Sequence, residues 1–112
     1  MDSAQIYSST LEQLNKTVVR LTSPEWDAKI QGAPPEERLA ALAELLRVQH
    51  ARLVLANASL QDIATELKAN EQNLVDGQEA LQGELDKLAT IESVLKAVSS
   101  LINVVARIVP LI

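Results

Sequence analysis

The strongest constraint on this chain is a seven-residue ladder that runs from Leu39 to Val109 without losing phase. Leu39, Leu46, Leu53, Leu60, Leu67, Leu74, Leu81, Leu88, Leu95, Ile102 and Val109 are its rungs, all eleven aliphatic and nine of them leucine. An apolar phase kept over that length predicts one buried seam on α-helix. A second ladder, three residues on, reads Leu42, Gln49, Ala56, Ile63, Asn70, Gly77, Glu84, Ile91, Val98, Val105 and Ile112. It is apolar at both ends and poor in the middle, around Gly77.

Composition says what such a seam is made of. Apolar residues are 47% of the 112, yet aromatics are only 2%, Tyr7 and Trp26 with no Phe. The core must be Leu, Ile, Val and Ala. No β-branched run of period two is present, so the reading is all-α, in one helical domain over 1–112.

Residues 3–22 are predicted as the first helix, with Tyr7, Leu11, Leu14, Val18 and Leu21 on one stripe. Ser23-Pro24-Glu25 is a helix start, with Ser as N-cap and Pro at the first position. It opens a short helix over 24–31, closed by Gly32. Trp26, inside it, either plugs the end of a bundle or anchors a partner. Pro34-Pro35-Glu36-Glu37 restarts the chain as a long helix over 35–69.

Two architectures use the ladder that follows. One is a continuous helix of about 70 residues in an oligomeric coiled coil, roughly 110 Å long. The other is an antiparallel helical hairpin in a small bundle, with a turn over 70–77 and a second arm over 78–109. Asn70-Glu71-Gln72-Asn73 is all polar and Asp76-Gly77 is a turn dipeptide, so the hairpin is the better reading. Its fold-back at Gly77 pairs Ile63 with Ile91, Ala56 with Val98, Gln49 with Val105 and Leu42 with Ile112. No parallel-zipper charge code is present, since Glu66 opposes Glu71. Leu53, Leu60, Ile63, Leu67, Leu88, Ile91, Leu95, Val98 and Ile102 are the expected core.

The C-terminal arm is the most apolar part. Lys96, Ser99, Ser100, Asn103 and Arg107 fall on one narrow stripe, and the rest of its circumference is apolar. Such a helix is a bundle core, an oligomer contact or a membrane-associating face. Lys96 and Arg107 interrupt it too often for a transmembrane span. Leu95, Val98, Leu101, Ile102, Val105, Ile108 and Val109, with Trp26, are the candidate interaction residues.

Chemistry is harder to find. The only histidine, His50, has no carboxylate three or four residues away, so neither a local metal pair nor a base–orienter pair forms there. The acidic stretch Asp76, Glu79, Glu84, Asp86 and Glu92 lacks both a cation-binding loop and the Glu-x-x-His pairing of helical di-iron sites. With no cysteine there is no thiolate site or disulfide. The expectation is a non-enzyme with no metal and no cofactor. A net charge of −5 argues against nucleic acid, and Arg38, Arg47 and Arg52 are diluted by Glu36, Glu37 and Glu44. The N-terminus, Met1-Asp2-Ser3, is polar and acidic, unlike a secretory leader, which points to the cytoplasm. A leucine ladder filled with alanine assigns no family.

The functional expectation is a non-enzymatic protein–protein interaction module, binding a partner or a second copy through the leucine seam and the C-terminal arm. The alternative is a membrane- or hydrophobic-surface-active protein, pore-forming or granule-coating in manner, that releases the 91–112 helix.

Overall fold

The computed structural model describes residues 1–111, and six helices make up 82% of it. They are α1 (Ser3–Arg20), α2 (Pro24–Gln31), α3 (Pro35–Asn57), α4 (Leu60–Ala69), α5 (Glu71–Lys87) and α6 (Ile91–Val105). The chain is a small helical bundle measuring 44 × 26 × 18 Å.

Three of the six starts are capped by a side chain. Asp2 and Gln5 form a reciprocal capping box on α1. Ser23 Oγ accepts from the Trp26 amide, and Pro24 sits at the first position of α2. Thr90 Oγ1 accepts from the Ser93 amide to start α6. At the far end of α3, the Tyr7 hydroxyl donates to the carbonyls of Leu55 (2.8 Å) and Ala56 (3.2 Å). Those carbonyls belong to the last turn, where the Ala58 amide also donates to Leu55 at 3.1 Å.

Packing contacts set the layout. α1 packs on α3, α4 and α5; α6 packs on α3 and α5; α2 lies on α3. Thus α1 and α6 separate α3 from α5, which stand diagonally. α1 runs alongside α5 in the same direction, tied by Met1–Glu71, Thr10–Gln78, Gln13–Gln82 and Arg20–Leu85 contacts. α6 packs its apolar face between α3 and α5, with Val94, Val98, Leu101, Ile102 and Val105 all buried.

The reversal is not where Asp76-Gly77 suggests. Gly77 lies in the middle of α5, and the chain folds back at Leu88–Thr90. The glycine serves close packing: a Cβ there would stand 3.3 Å from Leu101 Cδ1 on α6. Each expected arm is divided, 35–69 at Ala58–Ser59 and 78–109 at Leu88–Thr90, the expected turn over 70–77 is reduced to a break at Asn70, and α6 stops at Val105 before a turn through Ile108. Asn57, Ser59 and Asn70 supply the breaks at Ala58–Ser59 and Asn70, because their short polar side chains favour helix ends over interiors. A single helix through 35–109 is therefore excluded, and the ladder pairing around Gly77 does not form. Ile112, the last rung of the second ladder, lies outside the described residues.

The ladder itself divides. Ile63, Leu67, Leu74, Leu81, Leu88, Val98, Ile102 and Val109 are buried, while Leu60, Ile91 and Leu95 are half-buried. Leu53, expected in the core, faces out, as do Leu39, Leu42 and Leu46. α3 has two opposed apolar faces, and the one turned inward carries Ala41, Val48, Ala51 and Leu55. Its smaller residues let α1 and α6 approach closely. Arg52 donating to Asn15 on α1, and Arg47 donating to Ser99 and Asn103 on α6, hold that rotation.

α1 also buries a different stripe from the one its leucines suggest. Ile6, Thr10, Gln13, Leu14 and Thr17 are buried, and Tyr7, Leu11 and Val18 are half-buried at its side. Docking on three helices makes the buried face wide enough to include polar residues.

Candidate functional site

Among the described residues, four of the six exposed large hydrophobics lie on the outer face of α3: Leu39 (68% exposed), Leu42 (53%), Leu46 (56%) and Leu53 (55%). Their spacing of three, four and seven places them on one stripe, opposite Ala41, Val48, Ala51 and Leu55. The stripe spans about 21 Å along the helix. Exposed Ala43 and His50 lie on the same face. At its N-terminal end, Leu42 and Leu45 continue into a groove of about 540 Å³ beside α2, with Leu21, Trp26, Ile30 and Ala41 in its walls.

The charges bordering the stripe are balanced: α3 carries Arg38, Arg47 and Arg52 against Glu36, Glu37 and Glu44. Arg47 is ion-paired with Glu44 at 2.7 Å, and the Glu44 side chain is only 16% exposed. Its other oxygen, Oε2, is buried without a hydrogen-bond partner. Acidic residues also gather on α5, where Asp76, Glu79 and Asp86 are exposed.

The eight residues singled out in the sequence have another place. Trp26, Val98, Leu101, Ile102, Val105, Ile108 and Val109 are buried in the chain's own core, and Leu95 is half-buried. Trp26 packs with Leu21 and Ala41 at the α2–α3 elbow. Contact with another molecule through the α6 residues requires that helix to leave its seat. The outer leucines of α3 were visible in the sequence, but as rungs of the buried seam. The inward alternative, Ala41-Val48-Ala51-Leu55, was the signal that separates the two faces.

Polar chemistry is sparse and structural. Between α1 and α5, Gln13 Nε2 donates to Gln82 Oε1 and Gln78 Nε2 donates to Thr10 Oγ1, both at 3.1 Å. The Thr10 and Thr17 hydroxyls each donate at 2.8 Å to the carbonyl four residues earlier. This is a satisfied polar seam with no nucleophile–base pair in it. His50 stands exposed on α3. Among the described residues no group of three or more histidines and carboxylates comes together. One carboxyl titrates away from its ordinary value: hydrogen bonds from Lys68, and then from the N-terminal ammonium, hold Glu71 below it. No helix among the described residues is long and apolar enough to cross a membrane.

Comparison with protein-family models, with curated proteins and with solved structures yields no match to this chain.

Proposed function

We propose that the protein is a non-enzymatic, cytoplasmic interaction module that docks an amphipathic partner helix on the outer face of α3. The observation that supports this reading is the row Leu39, Leu42, Leu46 and Leu53, more than half exposed on a helix whose opposite side is buried. Exposed leucines gathered on one face, rather than scattered singly, are the kind of surface that marks interaction sites. Leucines at these spacings fit the apolar face of a second helix, the helix-in-groove mode of recognition. The groove beside Trp26 offers one deeper pocket at the end of the row. Arg38, exposed beside Leu39 and Leu42, favours a partner carboxylate at that end, because such charges set orientation and speed of encounter.

The test is a titration of a fluorescent synthetic helix with leucines at its core positions and glutamates on its flanks. Wild-type protein binds it, more weakly as salt is raised, and Leu46→Glu does not. Equal binding by wild type and Leu46→Glu, or no binding by either, overturns the proposal.

A second reading takes the same exposed leucine row as a lipid-facing one: attachment of α3, in the plane of the interface, to a lipid surface. Co-sedimentation with phosphatidylserine vesicles, lost in Leu46→Glu, would select it. Membrane action through the C-terminal arm instead asks α6 to expose Val94, Val98, Leu101, Ile102 and Val105, all buried here.

A further inference from the structure

The hinge between α5 and α6 contains two good helix formers, Leu88 and Ala89, before the capping Thr90. Leu88, Ala89 and Thr90 make the whole connection, and Leu88 closes α5 in the left-handed region at φ 46°, ψ 43°. It is the one non-glycine residue with positive φ among those described. A bulky leucine there is strained, and such strain gathers at switches and hinges. Between Gly83 and Pro110 the chain has neither glycine nor proline.

The seven-residue phase, which also passes the breaks at Ala58–Ser59 and Asn70, is compatible with a straight junction here. Leu74, Leu81, Leu88, Leu95, Ile102 and Val109 keep one register straight through the hinge. A three-residue reversal needs no register between the helices it joins. A continuous helix does, because one face must stay on one side across the junction.

We propose that α5 and α6 also exist as one straight helix over residues 71–105, and that two copies of this chain then exchange α6. Each α6 enters the seat on α3 and α5 that the other copy's α6 has left. All contacts of the closed bundle are made again, now between chains, which is why exchange is a low-cost route to a closed two-fold dimer. Short connections under strain invite it. The straight helix is about 52 Å long, against 44 Å for the longest dimension of the bundle. In this form Val98, Leu101, Ile102 and Val105 become interface residues. The closed form is held by Thr90 capping α6 and by Lys29 Nζ donating at 3.1 Å to the Ala89 carbonyl. The inference is independent of the α3 docking face.

Two hinge substitutions push in opposite directions. Ile91→Pro places proline at the first position of α6, where it is tolerated, after a Thr90 already extended at ψ 152°. It forbids a helix through the junction. Thr90→Ala removes the cap and favours the straight form, by about fivefold per protomer for one lost cap. Each protein is refolded at high concentration and its mass measured by light scattering. Wild type gives monomer and dimer, Thr90→Ala more dimer, and Ile91→Pro monomer only.

A cysteine pair identifies the dimer. Gly77 and Leu101 are placed so that their Cβ atoms stand 3.9 Å apart, within disulfide range, and the chain has no other cysteine. In Gly77→Cys/Leu101→Cys the dimer fraction gives a disulfide between chains and the monomer fraction one within a chain. Three results overturn the exchange: Thr90→Ala that stays monomeric, a dimer with only intrachain disulfides, or a dimer insensitive to Ile91→Pro. If a dimer of the last kind is lost in Leu46→Glu, the association belongs to the α3 face.

Discussion

Gly77 on α5 faces Leu101 on α6 so closely that an added Cβ would stand 3.3 Å from Leu101 Cδ1. Gly83, six residues along the same helix, has nothing within 4 Å of that position. Two glycines in one helix therefore answer oppositely to the same change. Gly83→Ala gains helix propensity without a clash and should stabilise by about 0.5–1 kcal/mol. Gly77→Ala gains the same but crowds a fully buried leucine, an overpacking cost of about 1–3 kcal/mol. It should come out destabilised. Urea unfolding of both variants checks the pair, and the two midpoints should move in opposite directions.

The Tyr7 hydroxyl closes the end of α3 through the carbonyls of Leu55 and Ala56. Tyr7→Phe keeps the ring and removes only the donor. It should cost about 0.5–1.5 kcal/mol, the net worth of an intramolecular hydrogen bond. Amide exchange should quicken in the last turn of α3 and in the first turns of α4 before it changes elsewhere. Uniform quickening would contradict a local capping role.

Glu71 links Lys68 to the N-terminal ammonium, each at 3.0 Å, and its carboxyl titrates below the ordinary value. A group depressed in the folded state contributes stability above its unfolded pKa and loses it as pH falls through the folded one. Glu71→Gln should therefore be less stable than wild type by a constant amount at neutral pH. The gap should close with acidification and vanish below both pKa values. Unfolding midpoints from pH 7 to pH 2 check the sign. Added salt should shrink the gap, because the carboxyl is exposed.

The helical class was legible from composition and the ladder alone, and so were the starts of α1, α2 and α3, where caps and prolines act locally. The turn was misplaced because Asp76-Gly77 looks the same whether glycine supplies a reversal or room for a neighbouring helix. Only Leu101, twenty-four residues away, decides between them. The real reversal carried no turn residue at all, since Leu88 adopts a conformation its side chain disfavours. The outer face of α3 was hidden for a related reason. Periodicity shows which residues share a face, whereas the direction of a face depends on which partners can approach it. The larger leucines lost the core to Ala41, Val48 and Ala51 because the small residues admit two neighbours.

The division of the leucine ladder into an outward part on α3 and an inward part beyond it is the claim on which the docking face rests. Equilibrium unfolding of Leu46→Ala beside Leu74→Ala tests it most directly. Leu46 is 56% exposed and Leu74 is fully buried. The account predicts a change within about 0.5 kcal/mol for Leu46→Ala and a loss of about 2–5 kcal/mol for Leu74→Ala. Equal losses at the two positions would mean that α3 turns its leucines into the core, and the docking face would be gone.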